Sequence, residues 1–193
     1  DADFLKTLPK EQLLSGFAEV LKHGLIADSN YWNDCTQVNF DSLNWIEIIK
    51  KSISIKEQIV QSDPFEKGDR KKLNFGHTIG HAIESYFLSK NTPVLHGYTV
   101  GAGMLCESYI ALQKGVLSKE AFDLIELNIL KIYKKLTFNS DVHNEMIEFM
   151  KQDKKNNDSS INMTLLIDIG NALINQSANE IEIRAALNFY CSN

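Results

Sequence analysis

Apolar residues recur at helical spacing through most of this chain, and only one short stretch near its end, Met163 to Asn175, has strand-like composition with turn residues in its middle. That contrast leaves one architecture: a mainly α, multi-helix fold with a small β-hairpin near residues 163–175. At 193 residues the chain is long enough for a sizeable core and too short to need two, so one domain over 1–193 is expected. A formal charge of -5 and a pI near 5.5 argue against nucleic acid or an anionic membrane as partner, and no apolar run reaches spanning length. Cys35, Cys106 and Cys191 are scattered in neither disulfide-like nor metal-like spacing, and there is no signal peptide, so a cytoplasmic location is expected. The first residues, Asp-Ala-Asp-Phe-Leu, lack an initiator Met, which points to a piece of something longer.

The first helix starts at Pro9, carries its apolar stripe on Leu13, Leu14, Phe17 and Leu21, and is expected to end near Gly24. Glu19 and Lys22 fall off that stripe; periodicity alone makes them a solvent-facing pair. A second helix, capped by Asp41 or Ser42, runs to Asp63-Pro64. On its wheel Ile49, Ile53 and Val60 flank Lys56, which either snorkels to the surface or lines a polar cleft and holds an anion. After the loop at Asn91-Thr-Pro93, residues 97–112 read as the most buried helix, being apolar or small almost all round. Ser118 caps a helix through about Leu136, and Ser140 or Asp141 one through about Met150, with His143 at the surface. Lys151 to Ser160 reads as a loop. The hairpin turns at Gly170-Asn171, and a helix from Glu180 to Tyr190 closes the chain. Gly101-Ala-Gly103 is no nucleotide loop, since the third glycine and the preceding strand are missing.

The densest cluster of chemistry-bearing side chains is Arg70 to His81, Arg-Lys-Lys-Leu-Asn-Phe-Gly-His-Thr-Ile-Gly-His. As one helix it would place Arg70, Asn74, His77 and His81 on one face, with Phe75, Ile79, Ala82, Ile83 and Tyr86 opposite. Histidines four apart can share a metal ion or a substrate, and equally can sit on a solvated face. Gly76 and Gly80 weigh toward a site, because each costs helix stability of roughly 1 kcal/mol against Ala unless something comes close.

Leu73-Asn-Phe-Gly-His-Thr-Ile-Gly-His-Ala-Ile-Glu84 resembles the signature of the 3-dehydroquinate synthase family. Gly16-Phe-Ala-Glu-Val-Leu-Lys-His-Gly-Leu-Ile-Ala-Asp28 resembles that family's Gly-x-Ala-Glu-Val-x-Lys block, His96-Gly97 its next motif, and Asp153-Lys-Lys155 its late basic motif. The four occur in the family's order across nearly the whole chain. The resemblance is to the C-terminal, metal-binding helical half only; the family's N-terminal NAD-binding α/β domain has no counterpart here.

The resemblance implies an enzyme that converts a phosphorylated seven-carbon keto sugar acid to 3-dehydroquinate and phosphate in the shikimate route, using and regenerating NAD within one turnover. It implies Glu19, His77 and His96 as ligands of zinc or another divalent metal such as cobalt, an open set of the catalytic kind. His81, which spacing alone would make a second ligand, becomes a polar contact or proton-transfer group. Lys22, Lys56, Arg70, Asn74 and one of Lys154 or Lys155 match positions lining the substrate pocket, where ammonium, guanidinium and amide groups suit a carboxylate, a phosphate and hydroxyls. Partners implied are the small-molecule substrate, the N-terminal NAD-binding domain and a second copy of the chain as a homodimer. The residues 1–193 by themselves are expected to fold without binding NAD tightly or turning over substrate.

Tyr98-Thr-Val100 departs from the family, which usually has an acidic residue and then Ala-Val after His-Gly; the hydrogen bonding behind His96 is where that departure acts. Two other readings stand beside this one: the same half of a sister sugar-phosphate cyclase or metal-dependent alcohol dehydrogenase, and a non-catalytic helical interaction module with a solvated histidine face.

Overall fold

Small residues let helix backbones approach closely, and the helix richest in them lies at the centre of the fold. The computed structural model describes residues 2–152 and 160–192. Among these lie α1 (Lys10–Ala27), α2 (Ser29–Thr36), α3 (Trp45–Ser62), α4 (His77–Ser89), α5 (His96–Gln113), α6 (Lys119–Ile132) and α7 (His143–Lys151). The hairpin β1 (Ile161–Asp168) and β2 (Asn171–Ala178) and the closing α8 (Glu180–Ser192) complete them. α5 is buried along nearly its whole length, Met104, Leu105 and Cys106 completely, and α1, α4, α6, α8 and β1 pack around it. The mainly helical class with one antiparallel hairpin, and the burial of 97–112, are as the sequence predicts. No helix among the described residues is long and apolar enough to cross a membrane.

The tightest contact is between α4 and α5. An added Cβ at Gly103 would stand 2.0 Å from Gly76 O and 2.7 Å from Gly80 N, so only glycine fits there. The costly glycines of the 70–81 stretch therefore answer to a neighbouring backbone. That stretch is not one helix, contrary to the reading from its wheel. Asp69–Asn74 is a 3-10 turn, Gly76 takes φ +78, and α4 begins only at His77. The break is held from outside: the Glu107 carboxylate on α5 accepts the N–H of Gly76 at 2.7 Å and of Ile79 at 3.1 Å, capping the exposed amides of α4.

Several boundaries move for local reasons. α1 runs past Gly24 to Ala27 because that glycine is a packing site: a Cβ there would meet Trp32 Cα at 2.9 Å. Trp32 belongs to α2, a helix absent from the sequence reading; Asp28 caps it through Tyr31 N, and Tyr31, Trp32 and Cys35 bury its inner face. α3 begins at Trp45 with Asn44 as cap, since Asp41 and Ser42 lie in a 3-10 turn of their own. Its core face is Ile48, Ser52, Ile55 and the partly buried Ile59; Ile53 is 60% exposed, so the arc of Ile49, Ile53 and Val60 is not the buried one, and Lys56 is exposed beside it.

Ser118 caps α6 as predicted, but the helix stops at Ile132, where Tyr133 turns extended and donates its hydroxyl to Leu14 O. His143, expected at the surface, is 2% exposed, because Met146, Ile147 and Met150 share its face of α7. The hairpin is longer than predicted and turns at Ile169-Gly170, since Asp168 pairs with Asn171. The predicted loop over 151–160 falls mostly outside the described residues.

Gly103→Ala is expected to cost about 3 kcal/mol, the upper range for overpacking a rigid contact. The check is a lower midpoint of urea unfolding at an unchanged m-value.

Candidate metal centre

Three histidines from two successive helices meet where α4 and α5 begin beside α1. One ligating atom from each of His77, His81 and His96 lies within 4.8 Å of those of the other two. The rings are 5.1 to 5.6 Å apart between centroids. Glu19 reaches the group from α1, its Oε1 3.3 Å from His77 Nε2. The α1–α5 junction fixes this approach: Ser15 Oγ accepts the Gly97 N–H at 2.9 Å, one helical turn from Glu19 on one side and one residue from His96 on the other.

Each histidine of the inner pair is oriented by its other nitrogen. His77 Nδ1 lies 3.1 Å from the Phe75 carbonyl, and His96 Nδ1 lies 2.8 Å from Glu84 Oε2. Both acceptors require Nδ1 to carry the proton, so in the neutral rings Nε2 presents its lone pair. Glu84 was not singled out from the sequence. The signal was present: His77, His81 and Glu84 are spaced four and three apart and so share a helix face. Tyr98, the family departure, stacks edge-on against Tyr133 at 5.5 Å, while Glu84 takes the hydrogen bond behind His96.

Lys22 is 2% exposed and Glu19 is half-buried, so the pair they form points inward rather than to solvent. Its ammonium donates to Glu19 Oε2 at 2.6 Å and to Leu73 O at 2.8 Å, tying α1 to the turn before α4. Burial opposes charge on Glu19, while the adjacent Lys22 ammonium favours it, and the carboxyl lies below the usual carboxylate range. Burial likewise lowers Lys22 itself, with Glu19 and Glu107 pulling the other way. Lys56 is near enough to lower both Lys22 and His23. Burial pushes Glu107 up to about 8 against the pull of the Gly76, Ile79 and Thr78 amides. Its signal was a lone carboxylate in the otherwise apolar helix 97–112, the same kind of anomaly that flagged Lys56.

A cleft of about 570 Å³ opens beside the histidines, with Asn74, His77 and His81 on one wall and Asn162, Thr164 and Asn175 of the hairpin on the other. Asn74 Nδ2 donates to Glu66 Oε1 at 2.9 Å. Among the described residues lining the cleft, Arg70 is not one; its Nη1 donates to Pro64 O at 2.8 Å, and its own N–H is held by Asp63. Lys154 and Lys155 lie outside the described residues.

The donor set suits a divalent ion. Glu19 Oε1 is buried and accepts no hydrogen bond, although it is ionised and faces a nitrogen lone pair. Two donors on a tetrahedral zinc, at ligand distances of about 2.0–2.1 Å, stand about 3.3 Å apart. That is the separation of Glu19 Oε1 and His77 Nε2.

Fold and side chains thus define a helical domain in which three histidines converge, with the Glu19 carboxylate beside them, next to a cleft. The model for the 3-dehydroquinate synthase C-terminal family matches residues 16–156. The chain belongs to that family. It is 39% identical over 193 residues to a 3-dehydroquinate synthase from Parabacteroides distasonis, covering 98% of this chain and 55% of that protein. It is 38% identical over 180 residues to the one from Streptococcus mutans, covering 91% and 50%. The chain therefore spans about half the length of these relatives. Among solved structures, 2-epi-5-epi-valiolone synthase from Streptomyces hygroscopicus subsp. jinggangensis, with NAD+ and Zn2+ bound, superposes with a TM-score of 0.82 at 23% identity over 98% of this chain and 54% of that one. A 2-deoxy-scyllo-inosose synthase complexed with carbaglucose-6-phosphate, NAD+ and Co2+ gives 0.76 at 22% identity over 93% and 53%. Both share the fold.

Glu84→Ala is expected to weaken zinc binding 10–100-fold, the usual effect of removing a carboxylate that orients a ligating histidine; competition with a chromophoric chelator measures it. A pH effect comes from His23, which is 3% exposed with Nδ1 2.8 Å from Ser52 Oγ. Burial first, and the Lys22 charge second, bring it from 6.5 down to about 4. The unfolded chain binds the proton first on acidification, so this contribution is full above pH 6.5 and is lost as pH falls through about 4. Its size is about 3 kcal/mol, and urea unfolding of His23→Gln should show a flatter dependence between those pH values.

Proposed function

We propose that this chain is the metal- and substrate-binding half of a 3-dehydroquinate synthase, a lyase that turns a phosphorylated seven-carbon keto sugar acid into 3-dehydroquinate and phosphate. Glu19, His77 and His96 hold the metal. The observation that carries this reading is the buried Glu19 Oε1 that accepts no hydrogen bond 3.3 Å from Nε2 of His77, a residue that lines the polar cleft. An ion there, zinc or cobalt, supplies Lewis acidity toward a substrate hydroxyl.

This chain's own residues do the rest of the work. Phe75 O and Glu84 hold His77 and His96 with Nε2 turned to the centre. Lys22 keeps Glu19 ionised and aligned. His81, on the cleft wall next to both ligating rings, moves protons to and from substrate oxygens. Asn74 orients hydroxyls from the same wall. Lys56, close to Lys22, adds positive charge for the anionic substrate, as does Arg70 from the loop end and one of Lys154 and Lys155. NAD is held by an N-terminal domain, the partner whose face completes the pocket, and a second copy of the chain forms the homodimer.

Identity near 39% to a 3-dehydroquinate synthase, against 22–23% to the sister cyclases, favours this substrate over theirs. A non-catalytic module would have no use for the buried Glu19–Lys22 pair and the oriented imidazoles, which cost desolvation without building the core.

The test is phosphate release by the complete enzyme. Activity is expected on the seven-carbon keto acid phosphate and not on a hexose 6-phosphate, lost on chelation and restored by zinc or cobalt. His77→Ala should lower it by at least about 1,000-fold. Residues 1–193 alone should neither release phosphate nor bind NAD at micromolar concentration in a calorimetric titration. Release unaffected by chelation would overturn the reading.

A further inference from the structure

Lys71 belongs to none of the roles above, yet it lines the same cleft as His77 and His81. The hairpin grips it at both ends. Thr164 Oγ1 donates to the Lys71 carbonyl at 2.9 Å, and the Lys71 ammonium donates to Asn175 Oδ1 at 2.9 Å. Asn175 is placed for this by an irregularity in the sheet. Met163 pairs with Gln176 and Leu165 with Leu173, so Thr164 alone faces both Ile174 and Asn175, a β-bulge. Asn175 occupies it at φ +56, a left-handed conformation that a non-glycine residue rarely takes, Asn more often than most. Asn162 Nδ2 reaches the same Oδ1 at 3.5 Å.

The partner chemistry sets Lys71 apart from its neighbours. Lys72 pairs with Asp69 at 3.2 Å and Lys22 with Glu19 at 2.6 Å, so their charges are met by carboxylates. Lys71, half-buried in the cleft wall, is held by a neutral amide. An amide oxygen takes one of the three ammonium N–H groups and cancels none of the charge. The result is a cation fixed in place with its charge and further donors directed to the cleft.

We infer that Lys71 is an additional anion-binding and specificity-determining residue of the cleft, taking an oxyanion of the substrate, and that Asn175, through the bulge, is its positioning residue. This rests on the cleft being the substrate site proposed above. Phosphate and carboxylate share the chemistry that an ammonium recognises, and both occur on the proposed substrate.

Two measurements on the complete, zinc-loaded enzyme test it. In the first, the Lys71 side-chain NMR resonances are followed during titration with inorganic phosphate and, separately, with acetate. A response to phosphate assigns Lys71 to the phosphoryl group and a response to acetate alone assigns it to the carboxylate; a response to neither overturns the inference. In the second, Lys71→Met should raise KM about tenfold with kcat within about twofold, as expected for one charged hydrogen bond. Lys71→Arg should recover most of the loss. Asn175→Gly, which keeps the left-handed backbone and removes the amide, should raise KM about threefold without moving kcat, a split that a merely structural role would not give. An unchanged KM in Lys71→Met overturns the role. If the unaltered enzyme releases no phosphate from its substrate, the proposed function fails, and the anion titration alone then decides whether Lys71 binds an oxyanion.

Discussion

The backbone contact between α4 and α5 is the constraint on which the rest depends. Gly103 admits the Gly76 carbonyl to a distance no side chain would tolerate, and the Glu107 carboxylate from the same helix takes the amides at the start of α4. A helix start needs external acceptors for its first N–H groups, and here they come from the neighbour that is already in contact. The break at Gly76 follows, and with it the position of His77 as the first residue of α4. Had the 70–81 stretch continued as one helix, Leu73 O and Phe75 O would have been taken by the N–H groups four residues on instead of meeting Lys22 and His77.

A buried cation, a buried carboxylate and imidazoles with fixed tautomers form one electrostatic unit. Lys22 is costly to bury unless it is paired, and Glu19 and the Leu73 carbonyl satisfy it. That pairing uses Glu19 Oε2 and leaves Oε1 ionised and without a donor. Groups that a stable core would avoid are thus gathered at one place. His77 and His81 line the cleft, so this unit borders the space where a substrate can lie.

The hairpin serves this arrangement as much as it serves the core. Leu165 and Leu166 are fully buried and anchor β1, while Thr164 faces the cleft. The tip is fastened independently, by Gly170 N–H to Leu25 O at 2.8 Å. A strand pair fixed at its tip and its inner face can carry a bulge between them without losing register, since the register is set by which residues face the core.

Periodicity in the sequence was sufficient for the class of the fold, the central burial of 97–112, the caps at Asp63-Pro64 and Ser118, and a hairpin in the right place, because these follow from local propensity and from which faces are apolar. The motif residues Glu19, His77, His81 and His96 were legible too, by resemblance. What periodicity misjudged was wherever a neighbour decided. Gly24 reads as a helix stop but accommodates Trp32; Glu19 and Lys22 read as a surface pair, but Lys22 is buried and Glu19 half-buried; His143 reads as exposed but is buried. α2 was invisible because its residues are weak helix formers, stabilised by the Asp28 cap and by burial of Tyr31 and Trp32. Lys71 and Asn175 carry no local signature of their roles, and the signals of Glu84 and Glu107, a shared helix face and a lone carboxylate in an apolar helix, do not say which group each would meet. Each acts on a group from another element or another turn of its own, and such distances are set only when the helices dock. The sequence by itself determined most of the helical segments and which residue types are present for the chemistry. Only the tertiary structure decided which of them meet, because the meeting points are fixed by close backbone contacts that no single segment contains.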